Sequence, residues 1–113
     1  MRNISVHCDD DSLQTLSDLF RAYSDMTRLR IILSLIYGEK SVSDLCTAID
    51  MEQSAVSHQL STLKRMHIVK SRRNGKSVLY SLHDNHVLQI INQGLEHVSH
   101  ILQEETEGEE NNG

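Results

Sequence analysis

The sequence predicts a mainly α-helical domain with one small β-hairpin, and three observations carry that expectation. Apolar residues recur at helical spacing in successive segments of the 113-residue chain. Proline, the strongest helix breaker, is absent throughout. Between residues 69 and 81 the pattern changes to short strands on either side of Asn74-Gly75, the best short signal for a tight hairpin.

Each element has its own local reason. Residues 1–11 read as a mobile arm. Ser12 is placed to cap a first helix over 12–23, whose Leu13, Leu16, Leu19, Phe20 and Tyr23 share one side. Asp25 caps a second helix from Met26 to Tyr37, stopped at Gly38. Ser41 with Asp44 three places on resembles a capping box and opens a short third helix to Ile49. A turn at Asp50-Met51 leads to a fourth helix over 53–67 with Val56, Leu60 and Leu63 inward. The strands Val69-Lys70-Ser71-Arg72-Arg73 and Lys76-Ser77-Val78-Leu79-Tyr80-Ser81 follow. A last helix occupies 85–105, and the Glu/Gly/Asn-rich residues 106–113 read as a disordered acidic tail. Residues 12–105 therefore form one domain, with 12–23 and 85–105 as its dimerisation helices.

Composition excludes several classes of function. No apolar run approaches the length of a membrane span, and no basic-then-apolar leader opens the sequence, so a cytoplasmic protein is expected. Cys8 and Cys46 show no framework spacing and read as reduced thiols. No nucleophile motif points to an enzyme. The net charge of −5 argues against a nucleic-acid binder until its distribution is considered. From Gln53 through His83 there is no acidic residue, whereas Lys64, Arg65, Lys70, Arg72, Arg73 and Lys76 all fall there.

Two short helices, the second polar and serine-rich at its start, followed by a basic hairpin, make a winged helix-turn-helix. Its second helix enters the major groove N-terminal end first, which requires small polar side chains there. Gln53, Ser54, Ser57 and His58 meet that requirement for double-stranded DNA. Lys64, Arg72, Arg73 and Lys76 are the expected phosphate contacts.

The last helix carries a second kind of chemistry. Asp84 and His86 stand at its start, and His97 and His100 follow on the same helix. At about 1.5 Å of rise per residue, His86 and His97 lie roughly 16 Å apart along the axis and point nearly the same way. One ion cannot be held by both pairs of a single chain. If the helix packs antiparallel against a second copy, Asp84 and His86 of one chain meet His97 and His100 of the other, giving two sites per homodimer. Three imidazoles and a carboxylate suit tetrahedral Zn(II) or Co(II). Asp84 as a helical residue would face about 200° away from His86, but as the N-cap it can turn inward. The seam would be filled by Val87, Leu88, Ile91, Leu95, Val98 and Leu102 with Leu13, Leu16 and Phe20, and Gly94 would permit close approach. A carbonyl near Met66 or His67 is a candidate acceptor for the other ring nitrogen of His97 or His86. His7 and Cys8 form a weaker second candidate metal site, while His67 and His83 read as structural or solvent-facing.

These residues resemble a known family. The runs from Ser24 to Ile31 and from Gln53 to Leu60, with Arg73-Asn74-Gly75-Lys76 and Tyr80, resemble the ArsR/SmtB metal-sensing repressors over about residues 12–102. The resemblance implies a homodimer that holds operator DNA when metal-free and releases it when metal binds, derepressing efflux or resistance genes. Asp84, His86, His97 and His100 match the pattern of the zinc/cobalt-responsive branch. The thiolate pair of the arsenic, cadmium and lead branches is replaced by Ser41 and Ser43, and Met26 and Glu52 also depart from the usual residues. A winged-helix regulator that senses thiol oxidation at Cys8 and Cys46, or another ligand, is the alternative reading.

Overall fold

The computed structural model describes residues 8–112. Its elements are α1 (Asp10–Tyr23), α2 (Met26–Leu35), β1 (Lys40–Ser41), α3 (Val42–Ile49), α4 (Gln53–Arg65), β2 (Val69–Asn74), β3 (Ser77–Leu82) and α5 (Asn85–Asn112). The mainly α winged helix-turn-helix expected from the sequence is the observed fold, with one strand more than the hairpin.

That strand, β1, pairs antiparallel with β3 through Lys40↔Tyr80 and Ser41↔Leu79. The sheet order is β1-β3-β2, so β3 is central. The hairpin turn lies one residue later than the sequence suggested. Asn74 and Ser77 form the last rung, which leaves Gly75 and Lys76 as the two-residue loop. Gly75 takes φ +65, and a positive φ at the first loop position suits glycine.

Caps explain the helix starts. Ser12 is not the N-cap of α1: its backbone N–H donates to Asp9 Oδ1 at 2.7 Å, so the helix begins earlier and takes in Asp10 and Asp11 from the expected arm. An aspartate cap followed by two more acids suits the positive end of the helix dipole. Residues 1–7 of that arm lie outside the described residues. Asp25 caps α2 by accepting from Arg28 N–H at 3.0 Å. Ser41 and Asp44 form the reciprocal capping box of α3. At the far end, α5 continues past Glu105 to Asn112. Glutamate and glutamine are good helix formers, Gln103 Nε2 donates to Glu107 Oε1 at 3.4 Å and Thr106 Oγ1 to the Leu102 carbonyl at 3.0 Å.

The core is built from Ile31, Ile32, Leu45, Val56, Leu60, Leu63, Ile68 and Val69, all sealed from solvent. Val87 and Ile91 belong to this core too, which corrects their assignment to the dimer seam. The stripe left outside is Leu95, Val98, Ile101 and Leu102 on α5, with Leu13, Leu16 and Phe20 on α1.

Two turns place α4. Asp50 ends α3 in the left-handed region at φ 53. His67 does the same after α4, at φ 59. There His67 N–H donates to the Lys64 carbonyl at 3.1 Å and Ile68 N–H to the Leu63 carbonyl at 2.9 Å. This is a Schellman closure, with buried Ile68 packed beside buried Leu63, and it normally uses glycine where His67 stands. The left-handed region disfavours a residue with a Cβ by about 1–2 kcal/mol.

Candidate nucleic-acid interface and metal centre

The recognition element is α4, whose inner face is fixed by Val56, Leu60 and Leu63 in the core. That anchoring turns Gln53, Ser54 and His58 outward, with Ser57 half-buried between them. Glu52, the N-cap, makes no side-chain capping bond. Gln59 faces inward and accepts from Arg28 Nη1 at 3.1 Å. The same guanidinium donates to the carbonyls of Ala22 at 2.6 Å and Arg21 at 3.1 Å. Arg28 therefore joins the end of α1, the start of α2 and the middle of α4. Its anchoring role was not read from the sequence, since Arg28 is separated from Gln59 by 31 residues.

The expected phosphate contacts divide into two groups. Arg73 and Lys76 stand exposed at the hairpin tip. Arg72 is instead engaged by Glu39, with Nε to Oε2 at 2.6 Å and Nη2 to Oε1 at 2.8 Å. Each partner stabilises the other's charged form: Arg72 holds the Glu39 carboxyl below its ordinary range, and Glu39 raises Arg72. Lys64 donates to Ser71 Oγ at 2.8 Å, tying the end of α4 to β2.

Asp84 sits just before α5 and acts as its N-cap, accepting from His86 N–H at 2.9 Å. Its Oδ1 lies 3.4 Å from His86 Nδ1, so these two side chains stand together in one chain. Its Oδ2 is bonded to His83 Nδ1 at 3.0 Å. The His83 bond, helped by the backbone N–H groups of His86 and Val87, holds the Asp84 carboxyl below the usual range. The His86 side chain is 86% exposed. His97 and His100 are exposed on the later turns of α5. Among the described residues, no three His, Cys, Asp or Glu side chains of one chain gather where they could hold a metal. Cys8 is exposed, Cys46 is half-buried against the core, and both are free thiols. His7 lies outside the described residues.

Among the described residues, the buried Tyr23 hydroxyl has no hydrogen-bond partner. Burial, and secondarily the charge of Asp84, push its pKa up.

Residues 25–71 match the family described as "Bacterial regulatory protein, arsR family". Across 97 residues the chain is 38% identical to the HTH-type transcriptional regulator NmtR of Mycobacterium tuberculosis, covering 86% of this chain and 81% of that one. This chain belongs to the ArsR family. The ArsR fold is equally plain in three dimensions: the solution structure of apo-NmtR superposes with a TM-score of 0.71 at 37% identity, over 88% of this chain and 84% of the other. Two further relatives agree. The transcriptional repressor SmtB homolog of Synechocystis is 41% identical over 88 residues, 78% of this chain and 67% of its own. The cadmium resistance regulatory protein CadC homolog of Staphylococcus aureus is 40% identical over 84 residues, 73% and 69% respectively. This ArsR chain is a transcriptional regulator and not an enzyme, and among its described residues no helix is long and apolar enough to cross a membrane.

Proposed function

We propose that this ArsR-family chain is a metal-responsive transcriptional repressor that binds operator DNA as a metal-free homodimer and leaves it on binding Zn(II) or Co(II). The observation that carries this reading is the pairing of Asp84 with His86 at the start of α5, while His97 and His100 are interleaved with the exposed apolar stripe later on the same helix. An antiparallel partner α5 covers that stripe. It also sets Asp84 and His86 against His97 and His100 of the partner subunit, twice per dimer.

The donor set fits a tetrahedral divalent ion: three neutral imidazoles and one ionised carboxylate. The ion supplies a positive cross-link between subunits, and the rest is done by the protein. Asp84 brings its negative charge already ionised, and His86 presents an accessible ring. In each subunit α4 presents Gln53, Ser54, Ser57 and His58 to base edges. The two copies must enter major grooves about 34 Å apart. Arg73 and Lys76 neutralise phosphates. A change of the angle between subunits along α5 misaligns one recognition helix, and DNA is released. By linkage, DNA weakens metal binding by the same factor as metal weakens DNA binding.

The test is to titrate Zn(II), Co(II) and Ni(II) into the protein bound to its own promoter fragment, at fixed salt. The wild type releases DNA with Zn(II) or Co(II), and His86→Ala stays bound. Equal release from both proteins would refute the assignment.

A further inference from the structure

The end of the recognition helix and the start of the metal-bearing helix meet at one junction. His83 N–H donates to the Ile68 carbonyl at 2.9 Å, one step beyond the Val69↔Leu82 rung of the hairpin. On the same junction the rings of His67 and His83 are stacked, with centroids 5.3 Å apart and planes inclined by 15°. His67 holds its left-handed backbone at a position glycine would fill with less strain. The ring that this strained position carries is the one stacked on His83.

The other side of the His83 ring is committed as well. An ionised carboxylate only accepts, so the 3.0 Å contact between His83 Nδ1 and Asp84 Oδ2 requires the proton on Nδ1. Asp84 Oδ1 is oriented independently by His86 N–H at 2.9 Å. The carboxylate is thus gripped at both oxygens, once by α5 itself and once by a ring that leans on the end of α4.

We propose that His83 is a positioning residue that fixes Asp84 for metal capture and carries the resulting displacement, through its stack on His67, to the recognition helix. This rests on the metal reading above. Outer groups that orient a ligating carboxylate set its metal affinity. Here the orienting group has a second contact, and that contact is with the element that reads DNA. Movement of Asp84 toward a metal moves the His83 ring, and the ring shares its face with the residue that closes α4.

Three substitutions separate the two contacts. His83→Phe keeps a ring for the stack and removes the donor to Asp84. His83→Asn keeps an N–H group in the place of Nδ1 and removes the ring. His67→Gly removes the other ring, keeps the backbone carbonyl and suits the left-handed conformation. Each is measured for Co(II) affinity by its ligand-field absorption, and for affinity to the promoter fragment with and without Zn(II) at fixed salt.

For His83→Phe, Co(II) affinity falls roughly 10–100-fold. His83→Asn and His67→Gly bind Co(II) near the wild-type level and bind DNA normally without metal. In both, however, the weakening of DNA binding by Zn(II) shrinks by about 5-fold or more, within the ordinary span of such couplings. Full Zn(II) release from both ring-deleted variants would overturn the proposal while leaving the metal site intact, as would wild-type Co(II) affinity in His83→Phe. A Co(II) spectrum unchanged by Asp84→Asn and His97→Ala would instead overturn the metal site, and this role of His83 with it.

Discussion

Arg72 and Glu39 form a two-bond clasp at 2.6 and 2.8 Å that joins β2 to the segment just before β1, 33 residues away in sequence. The clasp takes up two of the guanidinium N–H donors and sets a carboxylate against its charge, so less of Arg72 is left for a phosphate. Arg73 and Lys76, by contrast, stand at the exposed tip. Arg73→Ala is therefore expected to reduce the slope of log affinity against log salt by about 1. Arg72→Ala should change the slope by less than half of that, and Glu39→Gln should raise affinity by releasing the guanidinium. Fluorescence anisotropy on the promoter fragment over a salt series checks all three.

The same pair gives a pH dependence of definite sign. Hydrogen bonding from Arg72 lowers the Glu39 carboxyl below 4.5 in the folded chain. A depressed carboxyl contributes stability above its unfolded value and loses it as pH falls through the lower folded one. The contribution of the clasp should thus persist at neutral pH and be lost on acidification below the ordinary glutamate range, while the buried side of the hairpin stays in place. NMR titration of the Glu39 side chain should show its midpoint rising toward the ordinary glutamate value in Arg72→Ala.

Tyr23 buries a hydroxyl that has no partner among the described residues, although its ring is useful to the core. Removing an unsatisfied buried polar group relieves a penalty of about 1–3 kcal/mol. Tyr23→Phe should therefore be at least as stable as wild type, with a gain of about 1 kcal/mol and about 4 °C in Tm. Denaturation of the metal-free protein decides it, and a clear loss would mean that the hydroxyl is bonded in solution.

Val98 lies on the outer stripe of α5, 46% exposed in the single chain. A charge there would be buried at the proposed seam, so Val98→Glu should yield a folded monomer by sedimentation. Co(II) affinity should fall by roughly two orders of magnitude or more, because half a donor set does not fill a tetrahedral shell. A monomer that kept its Co(II) affinity would contradict a shared site.

Much of this was legible in the sequence because periodic burial writes itself into residue order. Val56, Leu60 and Leu63 lie inward as expected, and Asp25 and Ser41 cap the helices they precede. Asp84 turns out of the helical path as its N-cap role required. Other features leave no local trace. β1 is two residues long and is defined by its partner β3, not by its own pattern. The apolar face of α5 is wide enough to serve two surfaces, and spacing could not assign Val87 and Ile91 to the chain's own core. Asp9 and Ser12 both belong to residue types that suit an N-cap, so composition alone does not place the start of α1. The stack of His67 on His83 joins residues 16 positions apart, and only the hairpin brings those rings together.

With β3 in the middle, β2 is left as an outer strand carrying Lys70, Arg72 and Arg73. Such a border cannot readily accept a further strand, since like charges would be laid side by side. In the proposed dimer one flank, greasy and helical, receives a second copy, while the other turns a copy away. A protein so divided can pair once and stop, which keeps its basic flank clear for a polyanion.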